Sequence, residues 1–155
     1  METRHRGIEL ASYDPAEARK QLSEREHCVV LVPDLSGKNF ELDGACACFD
    51  VKGVRVVHVF YRRTAPEPAV LSFFTVDHRI TLKGGRCARC GRKPGGVERD
   101  YRMAESDGVR VCAWNENEHS YAICGEMEAM KLRDLVDEVR LAAWKPAQAV
   151  YARGD

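Results

Sequence analysis

A chain of 155 residues with 45% hydrophobic and 31% charged side chains has the length of one domain and a globular composition, able to bury roughly two-thirds of its unfolded surface. Lys plus Arg and Asp plus Glu each number 24, so no net charge draws the molecule toward nucleic acid or an anionic membrane. Collagen-like, coiled-coil and disordered chains are excluded, and a charged partner must be met by a local patch.

From the N-terminus, Met1 to Arg6 lead into Ile8 and Leu10 without an apolar stretch, which is no secretory signal, and residues 1–13 read as a flexible start. Asp14-Pro15-Ala16-Glu17 combines an N-cap residue, a proline at the first helical position and a carboxylate three residues after the cap. A helix is expected over 14–27, with Ala16, Ala18 and Leu22 as a narrow buried stripe. After Pro33-Asp34-Leu35-Ser36-Gly37, apolar alternation predicts strands over Phe40–Phe49, Val54–Tyr61 and Ala69–Val76, turning at Asp50–Gly53 and Ala65–Pro68.

Residues 84–96 are bounded by glycine pairs, hold almost nothing that builds a core, and read as a loop insert. Val109–Trp114 and Ser120–Cys124 predict a second hairpin turning at 115–118. Leu132, Leu135, Val136, Val139 and Ala143 then recur at helical spacing, and Pro146 is expected to stop that helix, leaving 144–155 as a tail. The expected fold is α+β in a single domain: a five-stranded antiparallel sheet, a three-strand meander plus a hairpin, packed against an N-terminal and a C-terminal helix. The longest apolar runs, Val29–Val32 and Val70–Val76, fall far short of the ~20 residues of a membrane helix, so no membrane segment is expected.

The seven cysteines carry most of the chemistry. Cys87-Ala88-Arg89-Cys90-Gly91 has the spacing of half a tetrahedral zinc site, because two thiolates three positions apart can share an ion while the glycine lets the backbone curl toward the sulfurs. The same pair is compatible with a disulfide or redox couple, or with two plain loop thiols. Cys112 and Cys124, on neighbouring strands, are the first choice to complete the site; Cys46 and Cys48 come next, and His78 is the histidine candidate. Cys46 and Cys48 stand two apart on one strand, hence on one face. A three-residue closure of the following hairpin puts them on the face of Val56 and His58, where a thiolate and imidazole cluster suits zinc or copper(I); a closure of two or four residues puts them opposite it. Each of these cysteines is equally a small buried hydrophobe, and His58 equally a core histidine.

Val32-Pro33-Asp34-Leu35-Ser36-Gly37-Lys38-Asn39-Phe40-Glu41-Leu42-Asp43-Gly44, Val54 to Arg63, and Leu71-Ser72-Phe73-Phe74 resemble the C-terminal, sensor-side domain of bacterial membrane-anchored anti-sigma factors. Gly108 to Trp114 and Tyr121 to Gly125 look like that family's closing strands, so the likeness spans about residues 29–143. It implies a non-catalytic regulatory or sensor domain acting on a protein partner. The His-x-x-x-Cys-x-x-Cys helix of the family's sigma-binding module is absent, as is its membrane anchor, so sigma inhibition is not implied. The chain then reads as an excised extracytoplasmic piece or as a soluble descendant, cytoplasmic as it stands.

Two other functions compete. Between His78 and Arg102 eight basic residues face two acidic ones, a net +6 that suits a zinc-knuckle module gripping nucleic acid, with Tyr101 as its stacking ring. Glu116 to Glu138 is net −5 and offers an intramolecular partner for that patch. The third function is a thiol redox protein. No hydrolase elbow, phosphate loop or zinc-protease helix is present, so no enzyme activity is expected beyond thiol chemistry.

Overall fold

The computed structural model describes residues 4–49, 53–78, 102–116 and 118–152. Its strands are β1 (Arg4–Ile8), β2 (Glu41–Phe49), β3 (Arg55–Arg63), β4 (Ala69–Val76), β5 (Arg102–Ser106), β6 (Val109–Glu116) and β7 (His119–Gly125); its helices are α1 (Pro15–Glu26) and α2 (Ala129–Ala152). Among the described residues the strands form one seven-stranded sheet in the order β1-β2-β3-β4-β7-β6-β5, antiparallel throughout. A four-strand meander and a three-strand meander thus meet along β4 and β7.

This corrects the expected five-stranded sheet, which lacked both edge strands. β1 reads Arg-His-Arg-Gly-Ile and β5 reads Arg-Met-Ala-Glu-Ser, and neither shows the apolar alternation that marks an inner strand. An edge strand pairs on one side only and carries charge against further pairing, so polar composition is its normal state. Of the expected flexible start, residues 4–13 are not merely a lead, since Ile8 pairs with Ala45 and both Ile8 and Leu10 are buried. At the other end α2 runs through Pro146 to Ala152, where a stop was expected.

α1 begins as its sequence predicts: Glu17 N–H donates to the Asp14 carboxylate at 3.1 Å and Pro15 follows the cap. Ala18 and Leu22 are fully buried, and Glu26, 3% exposed, reaches Arg55 of β3 at 3.5 Å. Full burial of a side chain such as Leu22 contributes about 1.5–3 kcal/mol, which offsets the weak amphipathicity of the rest of this helix. Gln21 ties the preceding chain down, accepting from Ala11 N–H at 2.8 Å and donating to the Glu9 carbonyl at 2.9 Å.

The core lies on one face of the sheet. Ala45, Ala47, Val57, Val59, Tyr61, Leu71, Phe73, Cys112, Trp114, Tyr121 and Ile123 alternate onto it, and the stripes of both helices join them there. The Val30–Val32 segment is buried in the same layer, where Leu31 N–H donates to Thr75 Oγ1 at 3.3 Å and Tyr61 Oη donates to the Pro33 carbonyl at 2.8 Å. Period-two alternation leaves Cys46, Cys48, Val56, His58, Phe60, Phe74, Ala122 and Cys124 on the opposite face, nearly all of them half-buried. Among the described residues no helix is long and apolar enough to cross a membrane.

Candidate metal centre

The register of β2 against β3 decides which cysteines have company. Cys46 pairs with His58 and Cys48 with Val56, the register of a three-residue closure, so both thiols share the imidazole's face. Cys46 Sγ lies 3.7 Å from His58 Nδ1, and Cys48 stands two residues along on the same face, close enough to help raise the Cys46 thiol. With metal bonds of 2.3 Å to sulfur and 2.05 Å to nitrogen, a shared ion sets its S and N ligands about 3.6 Å apart at the tetrahedral angle and about 3.8 Å at the trigonal one. The observed pair already sits at ligand spacing. Among the described residues no three His, Cys, Asp or Glu side chains are gathered round one point.

His58 is held by aromatic rings. Phe74, its partner on β4, stacks on the imidazole with centroids 4.3 Å apart and planes 18° apart, and Phe60 meets it edge-on at 5.0 Å. Phe60 in turn lies over Gly44, where a Cβ atom would fall 2.3 Å from Phe60 Cε2. The bare glycine beside the β2 irregularity at Leu42/Gly44 thus makes room for the ring that fixes the imidazole. A Cys-x-Cys pair with a histidine on the next strand was visible in the sequence. The rings that frame it carry no chemical signal of their own and read as ordinary strand residues.

The other candidates are spread over the fold. Cys112 pairs with Ile123, whereas Cys124 pairs with Val111, so they lie on opposite faces of the β6–β7 ladder and cannot meet at one ion without breaking it. Cys112 is 0% exposed within the core. Cys124 shares the face of Cys46 but stands two strands from β3, roughly 10 Å away across the ladder. His78 is exposed just past β4. Cys87 and Cys90 lie outside the described residues, as does most of the basic segment. Within the acidic stretch, Glu116 pairs with Arg140 at 3.8 Å and Glu138 with Lys38 at 3.2 Å.

The electrostatics argue against a reactive thiolate among these groups. Burial, with the neighbouring Cys48, pushes the Cys46 thiol up to about 11, and burial likewise raises Cys124 and, with Asp77 nearby, Cys28. A redox cysteine needs the opposite shift. A metal that takes such a thiol as thiolate must displace its proton to solvent. No protein-family model, curated protein or solved structure matches the chain.

Proposed function

We propose that this chain is a non-enzymatic regulatory domain of the anti-sigma sensor type that holds a thiophilic metal ion, zinc or copper(I), through its cysteines. The observation that carries the metal is the 3.7 Å approach of Cys46 Sγ to His58 Nδ1, with Cys48 two residues along on the same face. Soft sulfur with imidazole nitrogen suits both ions. The regulatory part is supported by the resemblance of residues 29–143 to the sensor domain and by the raised Cys46, Cys28 and Cys124 thiols, which do not suit nucleophilic or redox chemistry.

Metal analysis after reducing purification without added ions tests this reading. One equivalent of metal, lost from the Cys46→Ser/Cys48→Ser variant, is the expected result. Retention in that variant with loss from Cys87→Ser/Cys90→Ser would move the site to the insert, and metal-free wild-type protein that takes up neither ion on titration would end the reading.

A further inference from the structure

The number and spacing of the donors bear on which of the two ions is held. We propose that Cys46, Cys48 and His58 bind a single Cu(I) ion as a three-coordinate site, an inference that rests on the thiol-metal function above. Structural zinc takes four ligands at tetrahedral angles, whereas Cu(I) is satisfied by two or three soft donors at wider ones. Residues two apart on a strand hold their Cβ atoms about 6.7 Å apart. Two sulfurs reaching inward from that separation are better joined by an ion with a wide S–metal–S angle than by one demanding the tetrahedral value. The third donor already stands at a suitable distance, since 3.7 Å falls between the tetrahedral and trigonal separations.

The surroundings fit the same ion. The imidazole is held between the stacked Phe74 and the edge of Phe60, with its Nδ1 turned to Cys46 Sγ before any ion arrives. Cys48 is buried and Cys46 half-buried on the face they share with Val56 and His58, a setting that limits water at the metal. Closing the trio needs a turn of Cys48 about its Cα–Cβ bond toward the ion. On binding, the two thiols give up their protons to solvent, and the copper stays Cu(I) throughout.

The test is anaerobic titration of the reduced full chain with Cu(I) held as its bicinchoninate complex, followed by X-ray absorption of the loaded protein. One equivalent should pass to the protein, with a copper coordination number of three made of two sulfurs and one nitrogen. Cys46→Ser, Cys48→Ser and His58→Ala should each weaken transfer by about a hundredfold, while Cys124→Ser and Cys87→Ser/Cys90→Ser leave it unchanged. Alkylation of the wild-type chain provides a readout free of folding effects: Cu(I) should protect Cys46 and Cys48, mapped by peptide mass, and leave Cys124 reactive. A site on these same thiols that prefers zinc, with a four-coordinate cobalt spectrum, would overturn the copper inference and leave the metal-binding function standing. If neither ion protects Cys46 and Cys48, the copper inference is overturned, and the metal-binding function falls with it only when the chain takes up neither ion at all.

Discussion

The β2–β3 and β6–β7 hairpins each carry two cysteines, and their fates differ through strand spacing and ladder parity. On β2 the thiols are two residues apart on one strand and meet His58 directly across the ladder. On β6 and β7 the ladder closes at Glu116–His119, which sets Cys112 opposite Ile123 and Cys124 opposite Val111. One pair converges on the open face, and the other is divided between the core and that face. Chemical type is the same in both hairpins; the number of residues in the turn decides which side chains across the ladder share a thiol's face.

The comparison breaks most sharply if the parity of β2 is reversed. In the Cys46→Ala/Ala47→Cys variant one thiol moves to the helix-facing side, where Ala47 is almost fully buried. Metal affinity should fall by about a hundredfold, and crowding of the core should cost about 1–3 kcal/mol in a denaturant melt. Conversely, Ile123→Cys gives β7 a thiol directly across from Cys112. That change should lower stability by about 1–2 kcal/mol through lost packing. Under mild oxidant it should remove two thiols from the alkylation count, whereas wild-type Cys112 and Cys124 stay separate.

A subtler change tests the frame around His58. Gly44→Ala drives the Phe60 ring from its place, because the new Cβ would overlap it. Metal affinity should drop about tenfold with every ligand intact, in line with the usual effect of losing a group that orients a metal-bound histidine. Melting should change far less than for the core substitutions.

The smallest expected effect lies at Asp34, whose carboxyl is held below its ordinary value by hydrogen bonds from the Ser36 hydroxyl at 2.7 Å and backbone N–H at 3.0 Å. A carboxyl lowered in the folded state contributes stability that is present above its unfolded pKa and lost as pH falls through the folded one. Ser36→Ala should therefore raise the Asp34 titration, read by NMR, and flatten the acid limb of stability. Metal binding at neutral pH should not change.

Much of this was legible before any coordinates. The Asp14-Pro15 helix start, the β3 and β4 alternation and the helical stripe from Leu132 to Val139 lie where pattern and capping place them. The edges were not, because β1 and β5 are mostly polar. Even so, Asp107-Gly108, with φ of 52° and 80°, is the dipeptide that a two-residue hairpin turn requires, and it announces a strand before β6. The division of Cys112 from Cys124 was readable too. A four-residue turn over 115–118 has the same parity as the observed closure, and either sends the two thiols to opposite faces; closeness along the chain is a weaker guide. The β2–β3 closure was open between odd and even lengths, and only the paired strands resolve it.

The strand order has a consequence for how the chain could be divided. β4 lies inside the sheet and β5 at its far edge, so residues 79–101 link two strands separated by β7 and β6. The first four strands and the last three are stitched together by the β4–β7 ladder, where Leu71, Phe73 and Thr75 face Gly125, Ile123 and Tyr121. A backbone cut within 79–101 would cross no strand pairing of the described sheet. The molecule is in this sense two interlocking halves, and a nicked chain should hold together through that ladder, the shared core and the Lys38–Glu138 ion pair, which join the halves when the chain is whole.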